Sequence, residues 1–379
     1  MNNLHISLTN FCNESRVLKE VNTLIDNQIF NTVFIAALYE EGVDKQFDYS
    51  EKVKLNRFLL RTRQLPKTFL FQVMKYVEFC FKVFLHYRNS DIKVVNIHSL
   101  GLLPLGIFLK KVYGAKLVYD THELETEKNG LYGFKKKVAK FVEKKLINCV
   151  DMTLVVSNSI ADWYSNEYDI VRPTVVLNTP RCRQIETKNI FRQHLDIRED
   201  QTIMLYQGVL DNGRGIQLII DAFKERDDDN LVIVFMGYGS LVSEIKIASK
   251  IKKNIYYFPA VPPEIVLEYT ASADIGISLI ENVCLSYYYC MPNKLFEYAM
   301  VGLPVLVSNM KDMSSLVIKN SMGVVINDFS AKSINDSINM FLTKDLNYMK
   351  INAYRVAIEN SWEVQEFKML RSYKKLFNK

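Results

Sequence analysis

The chain reads as one pattern run twice. Short apolar stretches alternate with amphipathic helical ones, a polar interruption follows at Thr179–Gln201, and the alternation restarts. In the first pass, Leu4–Thr9, Thr32–Leu38, Val94–His98, Ala115–Tyr119, Met152–Val156 and Thr174–Leu177 read as strands. Helices are expected at Glu14–Asn27, Lys52–Tyr87 (broken near Pro66), Pro104–Tyr113, Phe134–Ile147 and Asn158–Glu167, the last capped by Ser157. In the second pass, Thr202–Tyr206, Leu231–Met236, Ile255–Phe258, Ile275–Leu279, Val305–Ser308 and Gly323–Ile326 read as strands, and Ser361–Phe377 as a closing helix. Uninterrupted apolar strands between helices mean parallel sheets covered on both faces. The expected fold class is α/β, with a first domain at 1–180, a linker at 181–201, a second domain at 202–360 and a helix at 361–379 that can return to the first. In open sheets of this kind ligands bind beyond the carboxyl ends of the strands, and two facing units leave a cleft between them.

Composition narrows the class further. With 49% hydrophobic and 24% charged residues over 379, the chain is neither disordered nor a rod, and it is long enough to bury a core without staples. No window is apolar for the length a spanning helix requires. The start, MNNLHISLTN, lacks a basic region followed by an apolar run, so the cytosol is the expected compartment. The six cysteines form no CxxC pair and the five histidines no HExxH spacing, so reduced thiols and no bound metal are expected.

The net charge of +6 is uneven. Residues 1–180 hold 24 Lys and Arg against 19 Asp and Glu, and the remainder is nearly balanced. The excess gathers in two segments, 52–88 and 128–145, where Lys and Arg are interleaved with Phe, Leu and Val. Each fits a basic helix lying on anionic lipid, peripheral to the inner face of the cell membrane, and equally a solvated helix face with its apolar side in the core. No nucleic-acid motif accompanies the charge.

Three stretches can carry chemistry. In Ser286–Ser308, SYYYCMPNKLFEYAMVGLPVLVS, a proline opens a helix after an irregular loop. Such a helix start offers free amides and a positive dipole end to a diphosphate. Asn293 and Glu297 share one helix face, Lys294 is a counter-charge, and a carboxylate one turn back suits ribose hydroxyls. The same residues also describe a plain proline-capped helix. In Tyr206–Phe223, YQGVLDNGRGIQLIIDAF, a strand ends at Gly208 and Arg214 opens a helix, where it can bridge phosphate oxygens or simply lie on the surface. In YDTHELE, His122 stands with Asp120 and Glu123 at a strand end expected to face the cleft. His98 ends a neighbouring strand. The Gly237-Tyr238-Gly239 turn lacks the third glycine and the acidic residue of a dinucleotide fingerprint.

Together with VVSNSIADW and YFPAVPPEIVLEYTASADIGISL, these stretches resemble, in order and spacing over nearly the whole chain, the retaining glycosyltransferase family 4 of GT-B fold, in its branch that builds bacterial surface polysaccharides. The resemblance implies two Rossmann-like domains with parallel sheets facing across a cleft, donor binding by the second and acceptor binding by the first. It implies that Glu297 contacts the donor ribose, that Arg214 contacts donor phosphates, and that His122 lies near the reacting sugar. Gly208, Val261, Ser286, Tyr289, Asn293 and Lys294 would complete the donor side, with His98, Asp120 and Glu123 on the acceptor side. The co-substrate would be a nucleotide diphosphate sugar, without metal or other cofactor, and the acceptor a lipid-linked oligosaccharide.

Two positions depart from the family pattern. Tyr289 stands where the first glutamate of a paired-glutamate motif belongs, and Val209 where a second basic residue is usual. The expected activity is retaining transfer of a sugar to a hydroxyl. The alternatives are a nucleotide-sugar epimerase of related fold, a catalytically silent subunit that binds a partner enzyme, and a membrane scaffold.

Overall fold

The structure is a computed structural model that describes residues 1–186 and 188–377. The chain divides into two compact units, one of Met1–Val176 with Glu366–Lys379, the other of Leu177–Gln365.

The first unit holds strands β1 (Asn2–Ile6), β2 (Thr32–Leu38), β3 (Gln46–Ser50), β4 (Val53–Phe58), β5 (Ile92–Ile97), β6 (Lys116–Asp120), β7 (Met152–Val155) and β8 (Thr174–Val175). They form one sheet in the order β3-β4-β2-β1-β5-β6-β7-β8, parallel except for β3. Its helices are α1 (Ser15–Asp26), α2 (Phe69–Tyr87), α3 (Leu103–Tyr113), α4 (Gly133–Leu146) and α5 (Asn158–Tyr168). Ser157 caps α5 by accepting from the Ile160 amide.

The expected basic helix over 52–88 is corrected here. Residues 53–58 are strand β4, in parallel register with β2 through Val33–Val53 and Ile35–Leu55. Val53 and Leu55 are buried while Lys54 between them is exposed, a period of two that a strand satisfies and a helix does not. The edge strand β3 escaped detection because Phe47 and Tyr49 alternate over only five residues, all of them exposed.

In the second unit, β9 (Thr202–Val209), β10 (Leu231–Tyr238), β11 (Ile255–Pro259), β12 (Ile275–Ser278), β13 (Val305–Val307) and β14 (Gly323–Val325) form a parallel sheet ordered β11-β10-β9-β12-β13-β14. Its helices are α6 (Ile190–Leu195), α7 (Ile216–Glu225), α8 (Val242–Ile251), α9 (Val266–Thr270), α10 (Leu285–Tyr288), α11 (Asn293–Met300), α12 (Lys311–Lys319), α13 (Ala331–Leu342) and α14 (Leu346–Glu359). The sheet separates two apolar clusters, one holding Leu205, Val234 and Leu295, the other Tyr206, Phe235 and Ile277. Part of the stretch expected as a linker, 181–201, is helix α6, whose Phe191 is buried against Phe258 and Tyr269. The last helix, α15 (Trp362–Phe377), starts in the second unit, where the Trp362 amide donates to the Pro180 carbonyl. From Glu366 it belongs to the first, where the Tyr373 hydroxyl accepts from Asn96 Nδ2 at 2.5 Å.

Candidate functional site

In the second unit, β9 and α11 bring the sequence-predicted residues together. Helix α11 lies close against β12 because residue 276 is glycine, where a Cβ would stand 2.4 Å from the Tyr298 ring. The Tyr298 hydroxyl donates to the Leu205 carbonyl at 2.8 Å and accepts from the Gln207 amide at 3.0 Å, which fixes the helix to the end of β9. Gln207 in turn donates through Nε2 to Glu297 at 2.5 Å and accepts from Thr270 Oγ1 at 2.8 Å. Glu297 is thus held by its neighbours rather than waving in solvent.

Near the end of β9, Tyr206 offers its ring face to Lys294, whose Nζ lies 3.5 Å from the ring centroid. Gly208 lies under the same amine, and a Cβ there would be 3.8 Å from Nζ. Arg214 stacks on Tyr287 with its Cζ 4.7 Å from the centroid. Neither cation has an ion-pair partner among the described residues. Burial, then the positive charge of Arg214, hold the Lys294 ammonium well below the usual lysine range, and Glu297 offsets part of this. Two mutually repelling cations on aromatic faces can accept an anionic ligand between them.

The loop that carries Arg214 is braced. Gly215 packs where a Cβ would meet the Leu279 carbonyl oxygen at 2.2 Å, at a φ of +71°. Glu281 accepts from the Gly215 amide at 3.1 Å, and its own amide donates to the Gly213 carbonyl. So Glu281 braces the arginine loop. Asp211 accepts from the amide and hydroxyl of Ser240, which tethers the loop's other side.

Helix α11 opens after Pro292 with no side-chain cap, and Asn293 is exposed at its start. Ser286 is buried in α10, while Val261 is half-buried on the loop after β11, against the core. The Tyr289 ring lies 5.2 Å from Lys311 Nζ. The sequence reading missed Tyr206, Tyr287, Gln207 and Lys311. Tyr206 and Gln207 were detectable, since they immediately precede Gly208 on a predicted strand.

In the first unit a second constellation surrounds Asp120 at the end of β6. Arg16 of α1 donates to its Oδ1 at 2.8 Å and to Oδ2 at 3.3 Å. His122 Nε2 lies 2.9 Å from Oδ2 and His98 Nδ1 3.1 Å from it. His98 Nε2 meets His5 Nδ1 at 3.0 Å. Burial opposes the Asp120 charge, but Arg16 and the two histidines outweigh it and hold the carboxyl well below its usual range. Burial, then the Asp120 charge, push Glu20 well above the usual range, although Arg16 Nε lies 3.0 Å away. Burial lowers both His5 and His98. Asp120, expected to face the cleft, is fully buried as the anchor of this cluster. Glu123 stands apart, 4.0 Å from Lys128. His98, Asp120 and His122 could together offer three ligand atoms to a cation, although Arg16 already lies on the same carboxylate.

Residues 187–357 match the family model described as Glycosyl transferases group 1. No curated protein sequence matches the chain. Solved structures do. The chain resembles a sucrose-phosphate synthase from Thermosynechococcus elongatus with a TM-score of 0.82 at 14% identity, over 100% of this chain and 99% of that one. It resembles the Anabaena protein HepE, in complex with UDP and glucose, with a TM-score of 0.73 at 12% identity over 99% of each. It also resembles WaaG, a glycosyltransferase involved in lipopolysaccharide biosynthesis, with a TM-score of 0.64 at 14% identity over 98% of each. Residues 187–357 therefore match the Glycosyl transferases group 1 model, within a chain that has the two-domain GT-B fold of the solved structures it resembles.

Proposed function

We propose that the protein moves a sugar from a nucleotide diphosphate sugar to a hydroxyl with retention at the anomeric carbon, as a member of family 4. The observation that carries this reading is the pair of unneutralised cations, Lys294 on Tyr206 and Arg214 on Tyr287, at the end of β9 and the start of α11. A departing nucleoside diphosphate develops negative charge as the glycosidic bond breaks, and positioned cations and first-turn amides stabilise that charge without a metal. Glu297, oriented by Gln207, takes the ribose hydroxyls. Gly208, Asn293, Ser286, Tyr289 and Val261 line the donor.

On the acceptor side, Asp120 fixes the ring of His122 through Nε2, leaving Nδ1 for a sugar hydroxyl. His98 and Glu123 belong to the same side. The acceptor is a lipid-linked oligosaccharide of a surface polysaccharide, such as a capsule or O-antigen. That places the protein in the cytoplasm against the inner face of the cell membrane, where the basic segments meet anionic lipid. The relation of WaaG to lipopolysaccharide supports this direction.

The test is thermal shift with UDP, GDP and their sugars, followed by product analysis with and without lipid acceptor. Stabilisation by a nucleoside diphosphate and acceptor-dependent product support the reading, whereas donor consumption without acceptor supports an epimerase. Tyr289, standing where the family pattern has its first glutamate and with Lys311 over its ring, favours a second reading as a silent subunit. No nucleotide response in any arm would favour it.

A further inference from the structure

Helices α2, α3 and α4 connect β4 to β5, β5 to β6 and β6 to β7, and each steps the same way along the sheet. Right-handed crossovers then place all three on one face. Their contacts agree. Phe84 of α2 meets Phe108 of α3 with ring centroids 5.4 Å apart, the Tyr113 hydroxyl donates to the Phe84 carbonyl, and α4 packs beside α3.

The outer side of this layer is apolar, against the usual pattern. On α2, Phe69, Val73, Val77, Phe81 and Leu85 recur every four residues, and all are exposed, Phe69 to 86%. Phe108 and Val112 of α3 are exposed, as are Phe134, Val138 and Phe141 of α4. Lys111, Lys135, Lys137, Lys144 and Lys145 are exposed on the same helices. The only acidic residues of the three are Glu78, paired with Lys82, and Glu143, which is buried. No helix among the described residues is long and apolar enough to cross a membrane.

We infer that this three-helix face inserts its apolar side chains into the surface of an anionic lipid bilayer. The inference rests on the proposed lipid-linked acceptor and goes beyond electrostatic attraction by basic segments, since the aromatic stripe supplies a hydrophobic anchor and α3 joins it. An apolar face with cations and no exposed acid matches the headgroup boundary of anionic lipid. Two copies meeting through this face would press like charges together, which disfavours a self-dimer.

The test is co-sedimentation of the full chain with phosphatidylcholine vesicles and with vesicles containing about one-third phosphatidylglycerol. Binding is expected to the anionic vesicles. Phe69→Ser with Phe81→Ser should weaken it about tenfold and remove the fraction that survives high salt. Lys135→Glu with Lys137→Glu should weaken it chiefly at low salt. Thermal melts and the UDP shift of each variant monitor folding and donor binding, and an unfolded variant is replaced by Phe134→Ser with Phe141→Ser. No binding to either vesicle overturns the inference, as does a dimer in solution that Phe81→Ser makes monomeric. A UDP response retained alongside absent lipid binding sinks the inference alone. A missing UDP response sinks the donor reading alone.

Discussion

Lys294 stands 3.5 Å above the ring of Tyr206 with no carboxylate paired to it among the described residues, and burial, then the charge of Arg214, depress its basicity. A cation kept there destabilises the empty protein. An anion entering between the two groups would remove the repulsion. Binding energy and local instability therefore have one source in this site.

Replacing Lys294 with Met should show both effects. The stem and its contact with Tyr206 are kept while the charge goes. The empty protein is expected to gain roughly 1–2 kcal/mol, read as a higher denaturant midpoint, because a poorly solvated unpaired charge is lost. Nucleoside diphosphate affinity should fall at least tenfold. A variant that binds UDP and GDP as the parent does would remove Lys294 from the site.

Donor binding should draw in a proton. The folded, empty protein holds Lys294 below its unfolded value, so over that interval the unfolded chain binds more protons and stability rises with pH. A bound anion restores the ammonium and raises its pKa. Titration calorimetry in buffers of different ionisation enthalpy should give net proton uptake between the empty and bound values. Lys294→Met should show less uptake, and equal uptake in parent and variant would contradict the assignment.

Arg214→Ala should lower kcat by about a hundredfold or more, the usual loss when one group that stabilises leaving-group charge is removed. The loop should keep its shape, because Glu281 holds the Gly215 amide independently. Steady-state kinetics and near-UV circular dichroism check both halves.

Asp120→Asn should destabilise the first unit, but by less than the about 3–5 kcal/mol of a fully stranded buried charge, since Arg16 would keep Glu20 3.0 Å from its Nε. Pairing it with Arg16→Met should recover part of the loss. Additive losses in urea denaturation would show that the two do not act as a pair.

Glu143 gives a separate pH signature. It accepts from the hydroxyls of Tyr119, Tyr164 and Tyr168, yet burial outweighs these donors and pushes its carboxyl up to about 7. Its folded pKa exceeds its unfolded one, so the native state holds the proton more tightly. The contribution is complete below the unfolded value and is lost as pH rises through about 7, at most about 3 kcal/mol. Glu143→Gln should flatten that part of the stability profile relative to the parent.

The alternation of apolar strands and amphipathic helices made both sheets legible, because period and run length carry that information locally. Strand β4 was not legible. Its interleaved basic and apolar residues fit a helix until β2 is placed beside it. At the candidate site, Arg214 and Lys294 could be named because each lies at a helix start, and Glu297 because it stands one turn along from Asn293. The rings of Tyr206 and Tyr287, and the clamp from Gln207, depend on strands and helices meeting in space, which spacing along the chain does not encode. The burial of Asp120 was not legible, since its partner Arg16 is 104 positions away.

The most direct measurement is a crystal structure with UDP or GDP bound. The account expects the diphosphate within hydrogen-bonding distance, about 3 Å, of Lys294 Nζ and the Arg214 guanidinium, with the ribose against Glu297. A nucleotide bound elsewhere, or a site left vacant with Lys294 paired to a carboxylate, would contradict it.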